Sequence, residues 1–233
     1  MTISLNETVD LVRRNFRDVM WSEDTLKEWV KQAVKEYSKH FPDVASMSDT
    51  TVVGTYQYDF FEGTHDEEDL PVILEVVSVE YPADEDPPEF ASRMDHKAAA
   101  FFSGDYYDVV IYPSRNNGEI WISDPDGSDF EVIYHTEHSW TSVDSGSDEN
   151  TEVTAHHQPI IIQYVVYLCW REMVSMETMK LPDEKFASKL AAVQQRADTE
   201  YVRWMSMVES AKRSTSIESE SIQWSMDKYD HIY

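Results

Sequence analysis

The sequence predicts an α+β protein that is mainly helical, with a four-helix core, an inserted antiparallel β region and an extended C-terminal arm. The first observation is that amphipathic helical stretches lie at both ends of the chain, two at the front and two longer ones at the back. The second is a central segment in which aromatic and β-branched residues alternate with polar ones, as in strands. We therefore assign residues 1–44 and 156–213 to the helical core, 45–155 to the β insertion and 214–233 to the arm.

Two helices are predicted at the front of the chain. Residues 4–19 carry apolar side chains three and four positions apart, which places them on one helix face. Ser22 is followed by two acidic residues, which is typical of an N-cap and first turn, because the cap oxygen accepts a backbone N–H and the helix dipole favours negative charge there. Helical spacing then continues to Phe41, and Pro42, which cannot continue a helix, ends it.

The central segment predicts several strands and one short helix. Alternation or valine-rich composition marks strands at 51–61, 72–81, 106–112, 119–123 and 130–134. The last three are joined by short turn sequences at 116–118 and 124–127, so we expect them to form an antiparallel meander. Residues 89–103 are expected to form the helix, and the acidic stretch 141–155 is expected to be a loop.

A helical hairpin and an arm are predicted at the back of the chain. The helices are expected at 158–179 and at 183–212, with Pro182 breaking the pattern between them. The Ser- and Glu-rich run 214–221 breaks the apolar pattern again. A solvated end gains nothing from the apolar residues that follow, so we expect them to bind a neighbouring subunit or partner, or alternatively their own domain. These candidate partner-binding residues are Trp224, Met226, Tyr229, Ile232 and Tyr233.

The charge of the chain argues against two classes of partner. With 45 acidic and 19 basic residues, the formal net charge is −26 and the pI is near 4.4. Phosphate backbones and anionic membrane surfaces repel such a chain, so neither is expected to bind it. Two explanations of the charge stay open: solubility, including adaptation to a salty medium, and a surface that faces DNA without binding it.

Residues that carry catalysis or bind metals do not occur at the spacing that such sites need. Cys169, the single cysteine, lies in an apolar run and is expected to be buried. The stretch 124–128 resembles the start of a calcium loop, but its glycine is fourth instead of sixth, and a histidine stands where the glutamate belongs. The nearby histidines also lack ligand spacing: His135, His138, His156 and His157. We therefore predict no catalytic residue, no cofactor and no metal site, and we expect the last two histidines to flank the third helix.

Aromatic residues in the predicted strands allow two interpretations. They are Tyr56, Tyr58, Tyr106, Tyr107, Tyr112, Trp121 and Tyr134. Such a row can be a stacking platform for sugars or bases, but it more often fills a sheet face or a subunit interface. We expect core and interface here. A carbohydrate-active enzyme or a sugar-binding module is the alternative.

The chain has no secretory or membrane-spanning pattern. Its first residues are polar, without a basic start followed by an apolar block. Its longest apolar stretch, 159–170, is too short to cross a bilayer and contains Gln163. We expect a soluble protein made in a cytoplasm.

Three stretches of the chain together resemble the head-to-tail adaptor (connector) proteins of tailed viruses. Residues 21–34, WSEDTLKEWVKQAV, are similar to the second helix of many adaptors. Residues 70–90, with Leu-Pro at 70–71, Val-Glu-Tyr-Pro at 79–82 and Pro-Pro-Glu-Phe at 87–90, resemble their β insertion. Residues 156–173, together with the helix at 194–204, resemble their closing helical hairpin. These regions are distributed along the chain from residue 21 to residue 204.

The resemblance implies a structural virion protein without catalytic residues. The chain would form a homo-oligomeric ring, a dodecamer, between the portal protein and a tail or stopper (tail-completion) protein. It would be made in the host cytoplasm and reside in the neck of the virion, where DNA passes through an acidic lumen without specific binding. Another neck or tail-completion protein is a further alternative. The resemblance identifies no counterpart of loop 141–155 or of the arm.

Overall fold

The computed structural model describes residues 2–15, 21–59, 72–83, 88–112, 117–142, 148–179 and 186–227, the side chains of 15, 112, 117 and 215–227 excepted. These residues form a mixed α+β fold with four α-helices and three β-sheets. The chain divides into two compact units. The first unit comprises Met1–His40 and Trp140–Tyr233, and the second unit comprises Phe41–Ser139.

The α-helices belong to the first unit, and most of the strands belong to the second. The helices are α1 (Leu5–Asn15), α2 (Glu23–Ser38), α3 (Gln158–Thr178) and α4 (Phe186–Asp227). The strands are β1 (Ile3–Ser4), β2 (Asp43–Thr50), β3 (Gln57–Asp59), β4 (Ile73–Glu80), β5 (Ser92–Arg93), β6 (Tyr106–Tyr112), β7 (Asn117–Ile122), β8 (Asp129–Thr136), β9 (Trp140–Ser142) and β10 (Glu149–Thr151).

The first two helices begin at side chains that accept backbone N–H groups. The Oγ atom of Ser22 accepts the N–H of Thr25 at 3.2 Å, which confirms the predicted cap of α2. At the start of α1, the Oγ atom of Ser4 accepts the N–H of Glu7 at 3.1 Å. Ser4 also donates its hydroxyl to Asp148 at 2.8 Å, which ties the start of α1 to the segment before β10. Each cap pairs a backbone donor that the helix itself leaves unpaired.

The last helix is longer than the sequence predicts. Helix α3 ends one residue before the predicted position 179, and Pro159 lies in its first turn. Helix α4, in contrast, continues to Asp227, so the predicted helix end near Arg213 is wrong. The reason is that residues 186–227 contain neither Gly nor Pro, and Ser and Glu are tolerated within a helix. The predicted extended arm is therefore helical as far as Asp227, and residues 228–233 lie outside the described part of the chain.

Strands at both ends of the acidic stretch 141–155 replace part of the predicted loop. Strands β9 and β10 form an antiparallel pair, and β10 also pairs with β1, with Ile3 opposite Thr151. Residues 143–147 between them lie outside the described residues. Because β1 leads directly into α1, this small sheet belongs to the first unit, and the second unit ends at Ser139 instead of the predicted residue 155.

Two sheets of the second unit enclose one hydrophobic core. One sheet has the order β2-β8-β4 and the other has the order β3-β7-β6-β5. Inward-facing residues of both sheets form the core, namely Tyr58, Ile73, Val76, Val79, Tyr81, Tyr107, Val109, Ile120, Ile122, Phe130, Val132 and Tyr134. The predicted hairpin of β6 and β7 is confirmed, but β8 pairs with β2 and β4, so the predicted three-strand meander is wrong.

Two further predictions for the second unit are wrong. The predicted strand 51–61 is confined to β3 within the described residues, and β2 lies before it, at polar residues that alternation did not mark. The predicted helix 89–103 is β5, a set of turns and a single 3-10 turn at Phe101–Ser103. Here Asp95 accepts the backbone N–H of Lys97 at 2.9 Å, and such local bonds compete with helix formation.

Candidate functional site

Helices α3 and α4 form an antiparallel hairpin that is the candidate interaction site. Three side-chain contacts fix its register. The Nε2 atom of Gln163 donates to Glu200 at 2.8 Å. The guanidinium of Arg196 lies 5.6 Å from the ring centre of Trp170, and Lys189 pairs with Glu177 at 3.1 Å. The residue numbers fall along one helix as they rise along the other, as an antiparallel pair requires.

A buried carboxylate lies where the two helices meet. The Glu200 residue is only 2% exposed. Its carboxylate accepts the amide of Gln163 and forms an ion pair with Arg196 at 2.6 Å, one turn earlier on the same helix. A buried charge without partners costs roughly several kcal/mol. A shift of one helix along the other would remove the hydrogen bond from Gln163, whereas the ion pair with Arg196, on the same helix, would remain.

Aromatic rings fill the hairpin next to this carboxylate. The rings of Tyr164 and Trp204 have their centres 4.7 Å apart, and those of Tyr167 and Tyr201 are 5.1 Å apart. Burial raises the pKa of Tyr164 to about 12, with a smaller contribution from Glu36, so this hydroxyl stays neutral. The Trp204 indole is 1% exposed. Tyr164 and Trp204 are therefore buried between the two helices, whereas Tyr201 is 41% exposed.

The other half of the hairpin leaves its apolar side chains only partly covered. We call residues 170–179 and 186–193 the hairpin tip. No residue of the tip is buried, whereas the buried part of α3 ends at Cys169 and that of α4 begins at Ala197. Its large apolar residues are Met173, Val174, Met176, Met179, Phe186, Leu190 and Val193. Two helices packed side by side bury only the strip between them, so these side chains need a further neighbour to be covered.

Met179 is the most exposed of these apolar residues. Its relative exposure is 82%, the highest value among the large hydrophobic residues that the structure describes as exposed. In contrast, the start of α3 contacts both front helices: Gln158 donates to Thr8 at 3.1 Å, and His157 bonds to Tyr37 at 2.6 Å. The hairpin is thus anchored at one end and apolar at the other, which fits a surface for binding other chains.

The structure describes only some of the predicted partner-binding residues. Trp224 and Met226 lie in the last turns of α4, and their side chains are not described. Tyr229, Ile232 and Tyr233 lie outside the described residues. Their role stays a prediction. Sequence reasoning did not single out the hairpin tip, although the apolar residues of both helices before and after Pro182 were visible in the sequence.

The histidines that we weighed as metal ligands serve other contacts. His156 and His157 lie in the 3-10 turn Ala155–His157 immediately before α3, as predicted. Burial and the neighbouring His156 lower the pKa of His157, which favours its neutral form. In the second unit, the Nε2 atom of His138 lies 3.0 Å from the carbonyl oxygen of Phe41, and His135 lies 3.7 Å from Glu75.

One group of the second unit has ligand atoms close enough together to hold a metal ion. Asp95, His96 and Asp108 each offer an atom within 4.8 Å of the other two. Sequence reasoning missed this group because residues 89–103 were interpreted as a helix, which would place Asp95 and His96 on different faces. The Asp-His pair followed by an aspartate in the next strand was the available signal.

The calcium-like stretch is a turn, as predicted. Gly127 has a φ of 97°, a conformation that glycine adopts without a Cβ penalty. The Oδ1 atom of Asp126 accepts the hydroxyl of Tyr81 at 2.7 Å and the N–H of Ser128 at 2.9 Å. The hydrogen bond from Tyr81, followed by those from Ser128, lowers the pKa of Asp126, so the carboxylate is fixed within the turn.

The predicted aromatic row does not form one exposed platform. Tyr58, Tyr107 and Tyr134 are buried in the core between the two sheets. Of the remaining members whose side chains the structure describes, Tyr106 and Trp121 are partly buried and only Tyr56 is exposed, at 40%. The Tyr58 hydroxyl donates to the carbonyl oxygen of Thr55 at 2.5 Å, so it is turned towards its own chain. The expectation that the row fills a sheet face is confirmed for the three buried tyrosines.

Comparisons with known proteins add no relative. No protein-family model matches the chain, and no curated protein matches it either. Among the helices that the structure describes, none combines the length and apolar character needed to cross a membrane.

Proposed function

We propose that the protein is a structural virion protein whose copies form an adaptor ring, a dodecamer, between the portal protein and a tail or stopper protein in the neck of a tailed virus. The resemblance of residues 21–34, 70–90 and 156–204 to adaptor proteins motivates this function. The observation that carries it is the hairpin tip, where an acidic chain leaves apolar side chains only partly covered and Met179 82% exposed. Large exposed apolar surfaces are rare on monomeric proteins and are typical of interaction sites.

The helices supply the packing elements of the proposed ring. Helix α1 contacts α2 and α3, α2 contacts α3, and α3 contacts α4. We take these as the four-helix core of a subunit that is mainly helical where it meets its neighbours. The hairpin tip then lies against an adjacent copy, and the end of α4, with Trp224 and Met226, reaches the next copy or the next layer.

The net charge of −26 supports the proposed passage of DNA. In a closed ring every copy contributes carboxylates to one lumen, and their summed field repels phosphate. The duplex would then slide without binding. A structural role also needs no catalytic residue.

The carbohydrate-binding alternative is less well supported. Tyr58, Tyr107 and Tyr134, which it would use for stacking, have their rings buried. Another neck or tail-completion protein would use the same apolar hairpin, and it differs from an adaptor only in its neighbours within the particle.

Two charged substitutions at the hairpin tip test this proposal. Met176→Glu and Met179→Glu should prevent ring formation, since each would place a carboxylate in the apolar contact between copies. Val53→Glu is the matched control, because Val53 is 74% exposed and lies in the second unit, outside the tip. Light scattering at low and high salt measures the mass of the assembly, and circular dichroism verifies that each variant folds.

The expected result is a ring-sized mass for the parent chain and for Val53→Glu, and a monomer for the two tip variants. A parent chain that stays monomeric at every concentration and salt level, also with portal protein present, would contradict the proposal. If both tip variants formed rings of unchanged mass, the hairpin tip would not be the contact between copies.

A further inference from the structure

A histidine and two aspartates meet on the outer face of the four-stranded sheet of the second unit. Asp108 in β6 lies opposite Trp121 in β7, so the two side chains share one face of the sheet. Their strand neighbours Tyr107 and Ile122 are buried in the core on the opposite face. Asp108 and Trp121 therefore point away from the core.

The imidazole of His96 is held against this face by two contacts. Its ring lies parallel to the indole of Trp121, with ring centres 4.4 Å apart and an angle of 10° between the planes. Its Nδ1 atom lies 2.7 Å from the Oδ2 atom of Asp108, which also accepts the backbone N–H of His96 at 3.0 Å. The ring is thus fixed in both position and orientation before any ligand binds.

Asp95 brings a second carboxylate to the same atom of His96. Its Oδ1 atom lies 4.0 Å from Nδ1 of His96. The Asp95 side chain is 69% exposed, whereas those of His96 and Asp108 are 17% and 14% exposed. One solvent-exposed carboxylate therefore faces two groups that are largely buried against the sheet.

We propose that Asp95, His96 and Asp108 bind a divalent transition-metal ion of the zinc type. The ion would be bound by the Nδ1 atom of His96 and one oxygen of each carboxylate, with water completing the tetrahedron. Three protein ligands plus water is an arrangement that zinc adopts in proteins. An imidazole nitrogen favours such an ion over magnesium or calcium, which prefer oxygen ligands and more of them.

The distances require only small movements. Zinc lies about 2.0–2.2 Å from its nitrogen and oxygen ligands, so the ligand atoms are separated by roughly 3.3–3.6 Å in a tetrahedron. The pair of His96 and Asp108, now at 2.7 Å, would open slightly, and the exposed Asp95, now at 4.0 Å, would close slightly. If Nδ1 carries the ring proton, that proton would move to Nε2, so that Nδ1 can offer its lone pair to the metal.

The test is calorimetric titration of the full-length protein with Zn²⁺, with Mg²⁺ as the comparison ion. We expect Zn²⁺ to bind and Mg²⁺ not to bind at this site. Asp95→Asn is the decisive variant, because the amide oxygen can keep the hydrogen bond from Lys97 while the charge is lost. We expect it to weaken zinc binding by at least about tenfold, and His96→Gln to do the same.

His135→Gln is the matched control. His135 lies 3.7 Å from Glu75, and among the described residues no third ligand group lies close to this pair, so its loss should leave zinc affinity unchanged. Zinc binding no tighter than magnesium binding would overturn the proposal. Zinc binding that survives Asp95→Asn at full strength would also overturn it, even if His96→Gln failed to fold. Neither result bears on ring formation, because the hairpin tip belongs to the other unit.

Discussion

At the scale of single residues, the pair of Tyr37 and His157 shows how burial sets protonation. Their hydrogen bond is 2.6 Å long and links positions 120 residues apart in the chain. Burial raises the pKa of Tyr37 to about 12, and burial together with His156 lowers the pKa of His157. Both groups are therefore held neutral in the folded protein.

This pair predicts a loss of stability in mild acid. In the unfolded chain a histidine takes up a proton near pH 6.5, whereas folded His157 does so only at lower pH. As the pH falls below that value, the unfolded state binds more protons and the free energy of unfolding decreases. His157→Gln removes this difference, so its urea unfolding curves should depend less on pH between roughly pH 7.5 and 5.5 than those of the parent chain.

A second histidine, His40, should contribute to the same pH dependence of stability. The pKa of His40 is also lowered, by burial first and by Lys212 next, so His40→Gln should reduce the pH dependence too. Each single variant should therefore retain part of the pH dependence of the free energy of unfolding. A His157→Gln curve that runs parallel to that of the parent at every pH would contradict the assignment of a buried, neutral histidine.

Residue-scale features could be predicted only where they are local. The cap at Ser22 was predicted from its own neighbours and is confirmed by the hydrogen bond from Thr25. The partner of His157 could not be predicted, because Tyr37 is brought to it by the packing of α2 near the start of α3. The group of Asp95, His96 and Asp108 was missed for the same reason, since a turn and a strand must meet to form it.

At the scale of elements, the anchored half of the α3–α4 hairpin depends on Trp204. This side chain is 1% exposed and contacts the rings of His40, Tyr164 and Tyr201 at centre distances of 5.5, 4.7 and 5.7 Å. It therefore connects α4 to α3 and to the end of α2. Removing it would leave a cavity at the point where these helices meet.

Trp204→Ala should lower the free energy of unfolding by about 3–5 kcal/mol, the usual cost of replacing a buried Trp or Phe by Ala. Urea denaturation followed by circular dichroism measures the change. Val202→Ala is the control on the same helix: Val202 is 66% exposed, so its effect should stay within about 0.5 kcal/mol. Equal losses for the two variants would show that α4 is not packed through Trp204.

Helices and strands were predicted where the local sequence pattern is strong and missed where it is weak. The helices α2 and α3 and the hairpin of β6 and β7 were predicted because their apolar spacing is regular and their ends carry Ser22, Pro159 or short turns. Strand β2 was missed because its residues, DVASMSDT, are polar or small and alternate only in burial. Its backbone hydrogen bonds with β8 along Asp43–Thr50 stabilise it as a strand, and this pairing could not be predicted from its composition.

At the scale of the whole molecule, charge is the dominant property. A net charge of −26 on 233 residues makes the compact state repel itself. Some cations offset this locally: for example, Lys27, Lys31 and Lys39 each pair with a glutamate at 2.7–3.0 Å, at partly exposed positions. Such surface pairs contribute about 0–1 kcal/mol each to stability, which is too little to offset the overall repulsion. Dissolved salt must therefore screen the rest.

Sodium chloride should therefore stabilise the protein. The Debye length falls from about 10 Å at about 0.1 M salt to about 3 Å at about 1 M, which screens the repulsion between surface carboxylates. We expect the midpoint of urea unfolding to rise over this range. Sucrose at equal osmolality serves as the uncharged control, and a midpoint that stays constant or falls with added salt would contradict the prediction.

The sequence by itself determined the α+β class, the cap of α2, the extent of α3, the turn at Gly127 and the acidic surface, because each depends on residues that are close together in the chain. Tertiary structure decided which strands share a sheet, that β9 and β10 pair with β1 and which groups meet at His96. The physical reason is that strand partners and buried contacts are selected by the free energy of packing between distant segments. Spacing along the chain records which face of an element is apolar, but not which surface covers it.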